Sequence, residues 1–348
     1  MSEIRYNRLE DSYVIIAPER LHRPDYMAWS RGDENRLPCP FCEGNEAVTP
    51  PEIYAIRDNG SFADEKGWQT RVIPNLFKAV QIEAPYILKH EGANKVWDGF
   101  GAHEIIIDSP KHLISMTEWS QTTYFNWLKT IQARVRDLRN DQRLAHISIF
   151  KNHGVSAGAS QSHPHTQLIG LPVIPKNIQR KYDRIYSHYM NSGRLLIDDI
   201  IEEERKDGKR IVIERDSFIA FCPFASEHPF EVMITSSTLP SEIDKIEDLK
   251  LEELSKLLHE LFMRLEVQLG NFDFNISISI APMHKPFATD INFSNINPTC
   301  RFTIRITPRI YRHGGFELLT STMINPVEPE RCAQLLRDSK EGLWHTTK

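Results

Sequence analysis

The sequence predicts an α+β protein built from a repeated unit. Three observations carry that expectation. Two long segments, 117–139 (TEWSQTTYFNWLKTIQARVRDLR) and 249–269 (LKLEELSKLLHELFMRLEVQL), place apolar residues at helical spacing. Each is preceded and followed by short runs rich in Ile, Val and Phe. The two sets of runs also recur in the same order, as a duplicated chain would show. In the first half, 12–17 (SYVIIA) and 103–108 (HEIIID) read as strands ahead of the helix, and 145–151 (AHISIFK) as the strand after it. A loop of small residues and SHPHTQLIGLPVIP follow, ended by Pro172 and Pro175. In the second half, 210–224 (RIVIERDSFIAFCPF) and 229–236 (PFEVMITS) precede the helix, and NISISIAP and RFTIRITPR follow it. AHISIFKNHG then matches FNISISIAP, and His163, His165 and Gln167 fall opposite Arg301, Thr303 and Arg305. The halves are 1–175 and 176–348, and 176–210, dense in both signs of charge, reads as a solvated connecting helix.

The 348 residues leave room for two domains. With 42 Lys+Arg against 47 Asp+Glu and a formal net charge of −5, the chain has no global field for nucleic acid or anionic lipid. It shows neither an export signal nor an apolar run of membrane-spanning length, so a soluble, cytoplasmic protein is expected. Five cysteines is an odd and sparse count, of which only Cys39 and Cys42 lie close together. Cys222, Cys300 and Cys332 read as unpaired, mostly buried thiols, and a disulfide framework is not expected.

Two constellations could carry chemistry. In PCPFCEGN, Cys39 and Cys42 can present two sulfurs on one side of a tight bend to a tetrahedral zinc. A redox pair and incidental thiols are the competing readings, and a metal would need histidines from elsewhere in the chain. In SHPHTQ, an extended backbone would put His163, His165 and Gln167 on one face. Imidazole attacks phosphorus well and leaves well once phosphorylated, so it can accept a group and pass it on. A Gln amide could hydrogen-bond a phosphoryl oxygen. The bland reading is two strand histidines satisfied by backbone carbonyls. Against it stands the preceding NHGVSAGAS loop, whose small residues would let backbone amides approach an anion.

These residues resemble the galactose-1-phosphate uridylyltransferase family of the histidine-triad superfamily. The matching segments are PERLHRP (18–24), CPFCEGNE (39–46), RVIPNLF (71–77), SPKH (109–112), NHGVSAGAS with SHPHTQ (152–167), and GFE (315–317). The resemblance implies a duplicated histidine-triad-like fold, two antiparallel-sheet halves each with a packed helix. It implies one structural zinc on Cys39, Cys42, His112 and His163, a nucleotidyl-accepting nucleophile at His165, and Gln167 steadying the transferred phosphoryl group. Asn152, Gly158 and Ser160 match phosphate-loop positions, Arg20 and Arg23 basic residues near the phosphates, and Asn75 a base-binding position. Phe316 and Glu317 match a sugar-binding segment that comes from the partner subunit of a homodimer.

The implied reaction is double displacement on a nucleotide sugar. Two versions remain: UDP-glucose:hexose-1-phosphate (galactose-1-phosphate) uridylyltransferase, placed first as the commoner activity of the family in galactose and carbohydrate metabolism, and ADP-glucose phosphorylase, in which phosphate is the acceptor. Leu76, where the uridylyltransferases carry Asp, and Met323, where they carry Gln, lean toward the phosphorylase branch. A second metal site is not expected, because its positions hold Arg301 and Thr303. Arg301 and Arg305 read as strand-surface charges or as a phosphate clamp. A zinc-stabilised binding protein without turnover is the remaining alternative.

Overall fold

The computed structural model describes residues 2–18, 20, 39–58, 60–112, 115–284 and 297–343. The first strands, β1 (Glu3–Asn7) and β2 (Ser12–Ile16), form a hairpin. Then come β3 (Tyr54–Arg57), β4 (Trp68–Pro74), the exposed hairpin β5 (Leu88–Glu91) and β6 (Asn94–Trp97), and β7 (Ala102–Ile107). Helix α1 (Gln121–Leu138) starts where the Ser120 side chain accepts from the Thr123 N–H, and leads to β8 (His146–His153) and β9 (His165–Leu171). The chain continues through α2 (Lys176–Ser192), α3 (Leu196–Asp207), β10 (Ile211–Glu214), β11 (Ile219–Phe221) and β12 (Val232–Thr235). It ends with α4 (Asp248–Leu269), β13 (Phe274–Ser279), β14 (Thr303–Pro308), α5 (Gly315–Thr320), β15 (Met323–Asn325) and α6 (Pro329–Leu343).

Ten strands form one antiparallel sheet in the order β10-β11-β12-β14-β13-β8-β9-β7-β4-β3. Read outward from the central β13–β8 pair, each side runs through the same places: β8, β9, β7, β4, β3 on one, β13, β14, β12, β11, β10 on the other. The expected α+β fold with repeated antiparallel halves is therefore present, with the two halves joined edge to edge in a single sheet. Pairing also refines the repeat. Phe150 lies opposite Gln167 and Ser277 opposite Arg305, so β8 and β13 correspond two residues away from the sequence match proposed between them.

Alternation sorts the sheet into two faces. Val72, Ile106, Ile147, Ile149, Leu168, Ile234, Ile276 and Ile304 pack with α1, α4 and α6. Leu251, Leu254, Leu257, Leu258, Leu261 and Leu265 of α4 are fully buried there; Leu→Ala at such a site costs roughly 2–5 kcal/mol. On the opposite face, Ile73, Ile105 and Ile107 meet Cys39 and Phe41 in one half, while Ile219, Phe221 and Met233 meet α2 and α3 in the other.

The reading of 176–210 as a solvated connection is corrected here. Tyr182, Ile185, Leu196, Ile197 and Ile201 are buried in this second core, with Ile178, Tyr186 and Ile200 packed against it. Apolar residues at i, i+4 and i+7 form a stripe that the many flanking charges obscure in a composition count. The segment 210–224 is likewise a hairpin of two strands.

Candidate active site

Four side chains converge at the end of the face carrying β9. The Cys39 and Cys42 sulfurs lie 3.6 Å from the His163 Nδ1, and the Cys42 sulfur lies 3.5 Å from the His112 Nδ1. All four candidate ligand atoms sit within 4.8 Å of one another. An ion held tetrahedrally by sulfur at about 2.3 Å and nitrogen at about 2.05 Å would keep S and N roughly 3.6 Å apart, so the group is sized to hold a metal ion. The outward nitrogens are anchored as well: His163 Nε2 donates to the Ser109 carbonyl at 2.8 Å, and His112 Nε2 lies 3.1 Å from the Ser162 hydroxyl. Burial brings the His163 imidazole down to about 4, leaving it neutral, as a ligand must be. Burial and the neighbouring Cys39 push the Cys42 thiol up to about 11. Cys222, Cys300 and Cys332 are buried free thiols.

His165 opens β9 two residues after His163. Its Nδ1 donates to the His163 carbonyl at 2.9 Å, which fixes the neutral tautomer and leaves the Nε2 lone pair as the reactive end. Burial, with Lys151 nearby, lowers its affinity for a proton, so the ring is neutral near pH 7. Phe41 packs edge-on against the His163 and His165 rings. Behind the strand, Lys151 Nζ donates to Asp108 at 2.8 Å and to the His165 carbonyl at 3.4 Å, while Thr166 donates to Asp108 and accepts from Trp127. Burial raises the Asp108 carboxyl against the pull of Lys151.

Gln167 shares the face of His165. Its Oε1 accepts from His103 Nε2 at 3.0 Å, while His103 Nδ1 accepts from the Ala79 N–H at 3.1 Å. With its oxygen taken, Gln167 keeps its amide nitrogen to donate. Asn75 Nδ2 lies 3.0 Å from the same His103 nitrogen, which joins the predicted base-binding position to the predicted phosphoryl-steadying one. His103 was missed as a partner in the sequence; its signal lies in register, because β7 pairs with β9 and sets Ile105 opposite Gln167. The residues after Asn75 present large apolar surface, with Leu76 67% and Phe77 85% exposed.

Asn152 lies near the end of β8, on the face of Phe150 and Gln167. The loop beyond it makes a tight turn in which Ala157 and Ala159 N–H donate to the Gly154 carbonyl and Gly158 N–H to the Val155 carbonyl. Those amides are therefore used inside the loop, in contrast to the expectation that they would face an anion. Gly158 adopts φ +82°, and Ser160 is at the surface. Arg20 is half-buried just after β2, with its N–H on the Ala17 carbonyl; Arg23 lies outside the described residues. Phe316 and Glu317 are on α5 in the other half of the chain. Glu317 is buried and accepts from the Gly314 N–H, whereas Phe316, Leu318 and Leu319 are exposed. Arg301 and Arg305 are mostly buried and ion-paired within the protein: Arg301 donates to Asp198 and the Ser237 carbonyl, and Arg305 to Glu10.

Among known proteins, ADP-glucose phosphorylase of Arabidopsis thaliana is 29% identical over 97% of this chain and 92% of its own length. Galactose-1-phosphate uridylyltransferase of Saccharomyces cerevisiae is 25% identical over 97% and 94%. The crystal structure of the Arabidopsis ADP-glucose phosphorylase with bound ADP-glucose superposes with a TM-score of 0.79 at 26% identity, covering 97% of this chain and 99% of that one. The family model for the N-terminal domain of galactose-1-phosphate uridyl transferase matches residues 1–175, half of the sequence, and the chain belongs to that family.

Proposed function

We propose that the chain transfers a nucleotidyl group from a nucleotide sugar through an adduct on His165. The observation that supports this most directly is the orientation of His165, a buried neutral imidazole whose Nδ1–H is held by the His163 carbonyl. Its Nε2 attacks the α-phosphorus; the bond from that phosphorus to the bridging oxygen breaks, and hexose 1-phosphate leaves. In the second step an acceptor phosphate oxygen attacks the same phosphorus, the N–P bond breaks, and the imidazole is restored. The Gln167 amide donates to the phosphoryl oxygens as charge moves, and Asn152, Ser160, Arg20 and Arg23 complete the phosphate environment, with Gly158 giving the loop its left-handed bend. Cys39, Cys42, His112 and His163 would hold one zinc ion, whose contribution is structural: it fixes the carbonyl that orients His165.

In this reading 1–175 carries the chemistry and 176–348 is the degenerate half. Phe316 and Glu317 serve the site of the partner in a homodimer, in keeping with the exposed apolar surface of α5. The free thiols fit a cytoplasmic protein, and no helix among the described residues is long and apolar enough to cross a membrane.

Two substrate pairs remain in play. Transfer of AMP from ADP-glucose to phosphate is favoured by Leu76 and by the likeness to the Arabidopsis enzyme along the whole chain. Uridylyl transfer to galactose 1-phosphate is favoured by the name of the matching family and of the yeast relative. The protein is incubated with ADP-glucose or UDP-glucose radiolabelled in the nucleotide and then denatured. Label retained by the wild type and missing in His165→Ala is the expected result, and the nucleotide that labels identifies the base. No retained label from either sugar would sink the proposal. For the metal, about one zinc per chain is expected, absent from Cys39→Ser together with a loss of thermal stability. Metal-free protein whose stability ignores a chelator would reject the zinc assignment.

A further inference from the structure

The catalytic face belongs to the first half, yet the loop that closes it is held by the second. At the central β8–β13 pair, Asn275 lies opposite Asn152 and Phe274 opposite His153. Three consecutive residues of the degenerate half each take hold of the loop. The Asn275 amide donates to Asn152 Oδ1 at 2.9 Å and to the Ala157 carbonyl at 2.9 Å. The buried Phe274 ring stacks on His153, with centroids 4.7 Å apart and planes 18° from parallel, and is itself wedged against Phe262 and Phe272. Asp273 Oδ2 accepts the Ser156 N–H at 2.7 Å.

Gly154 shows how close this approach is. It has φ +80°, and a Cβ built on it would lie 1.9 Å from Asp273 Oδ1. Glycine is thus required there both by backbone conformation and by the carboxylate. Asp273 is itself fixed, since its carbonyl accepts the Arg309 N–H at 2.7 Å.

We infer that Asp273 and Asn275 are positioning residues for the phosphate loop, Asn275 acting on the transferred group through Asn152 and Asp273 through the 154–158 turn. An amide side chain has one accepting and one donating end, and only the donating end can serve a phosphoryl oxygen. By occupying Asn152 Oδ1, Asn275 leaves Asn152 Nδ2 as the end that can donate to a phosphoryl oxygen. Its second bond, to the Ala157 carbonyl, ties that orientation to the height of the turn. Asp273 sets the other end of the same turn. The inference rests on the proposal that this loop meets the transferred nucleotidyl group.

A double-mutant cycle on the full chain tests it, reading the rate of radiolabel transfer from ADP-glucose or UDP-glucose to His165. Asn152→Ala and Asn275→Ala should each slow labelling about tenfold, the scale of one lost charge-assisted hydrogen bond. If Asn275 acts through Asn152, the double variant is as slow as Asn152→Ala alone, within about twofold. Asp273→Asn, which can still accept the Ser156 N–H, should keep most of the rate that Asp273→Ala loses. Where Asn275→Ala does not fold, judged by its thermal midpoint and metal content, the cycle is run with Asn275→Asp, which keeps the size and removes both donors. Losses that multiply in the double variant, or an Asp273→Asn as slow as Asp273→Ala, overturn the inference while the wild type still takes label. A wild type that takes no label removes the functional proposal and this inference together.

Discussion

Gln167 and Arg305 occupy the same place in the two repeats, and their surroundings differ in kind. Gln167 lies opposite Phe150 on one neighbouring strand and Ile105 on the other; Arg305 lies opposite Ser277 and Met233. By the same register Thr303 takes the place of His165, and Glu231 that of His103. In the first half, the His103–Gln167 contact consumes one end of an amide and leaves the other end spare. In the second, Arg305 is bound by Glu10 and lies 3.5 Å from Glu231, so its charge is met by carboxylates inside the protein. Burial works against the Arg305 charge, but Glu10 and Glu231 outweigh it and raise its hold on the proton. The covers differ too, with the Cys39–Phe41 segment over one face and α2 and α3 over the other. The two halves of the sheet thus share a frame, while in the second the side chains at the corresponding positions are held in packing and ion pairs.

The largest effect that could break this comparison is a transplanted nucleophile. His165→Ala should lower transfer roughly 10⁴-fold or more. Adding Thr303→His to that variant should restore nothing, because Thr303 is 6% exposed and faces the side covered by α2 and α3. Radiolabel on the second half, located by peptide mapping, would show that the degenerate face still admits a nucleotide sugar.

Next in size is the exchange of the equivalent side chains. Arg305→Gln leaves Glu10 and the buried Glu231 without their common cation, and loss of one partner from such a network costs about 3–5 kcal/mol. Urea unfolding should register that loss with the Cys39, Cys42, His112 and His163 group still able to take metal. Gln167→Arg should do the reverse, changing stability by no more than about 1 kcal/mol while slowing transfer about 10²-fold, because on the proposed mechanism it replaces the donor to the phosphoryl oxygens. Equal stability losses in the two variants would mean that both positions are packing and neither is a site.

The repeat, the two long helices, the Cys-x-x-Cys turn and the His-x-His-x-Gln run are visible in the sequence because their signals are local: spacing of three to seven residues, or two similar strings. His103, Glu231, Asp273 and Asn275 act across strand pairs whose partners lie tens to more than a hundred residues away, so register alone reveals them. The helices α2 and α3 were hidden differently. Their apolar stripe is genuine, but flanking Lys, Arg, Asp and Glu dominate any average over the segment. Arg301 and Arg305 showed only that charge sits on a strand; what faces that charge depends on Asp198 of α3, Glu10 of the first hairpin turn and Glu231.

The smallest expected effect separates the halves by acid. In β8, burial lowers the His146 imidazole from 6.5 to about 4, so the unfolded chain takes up this proton first and stability falls as pH drops from 6.5 towards 4. The change is at most about 3 kcal/mol. Against the second half, Glu10 of the first hairpin turn moves from 4.5 to about 2: burial raises it, but Lys181 and Arg305 more than compensate. Its contribution is complete above 4.5 and is lost as pH falls from there towards 2. His146→Phe should therefore flatten the upper part of the stability profile and Glu10→Gln the lower part, with each variant following the wild type in the other window. Hydrogen exchange measured across the range should show β8 protection changing in the first window and α2 protection in the second. If both regions lose protection at one pH in the wild type, the two halves unfold as a single unit, and the difference in side chains between their faces does not extend to their stability.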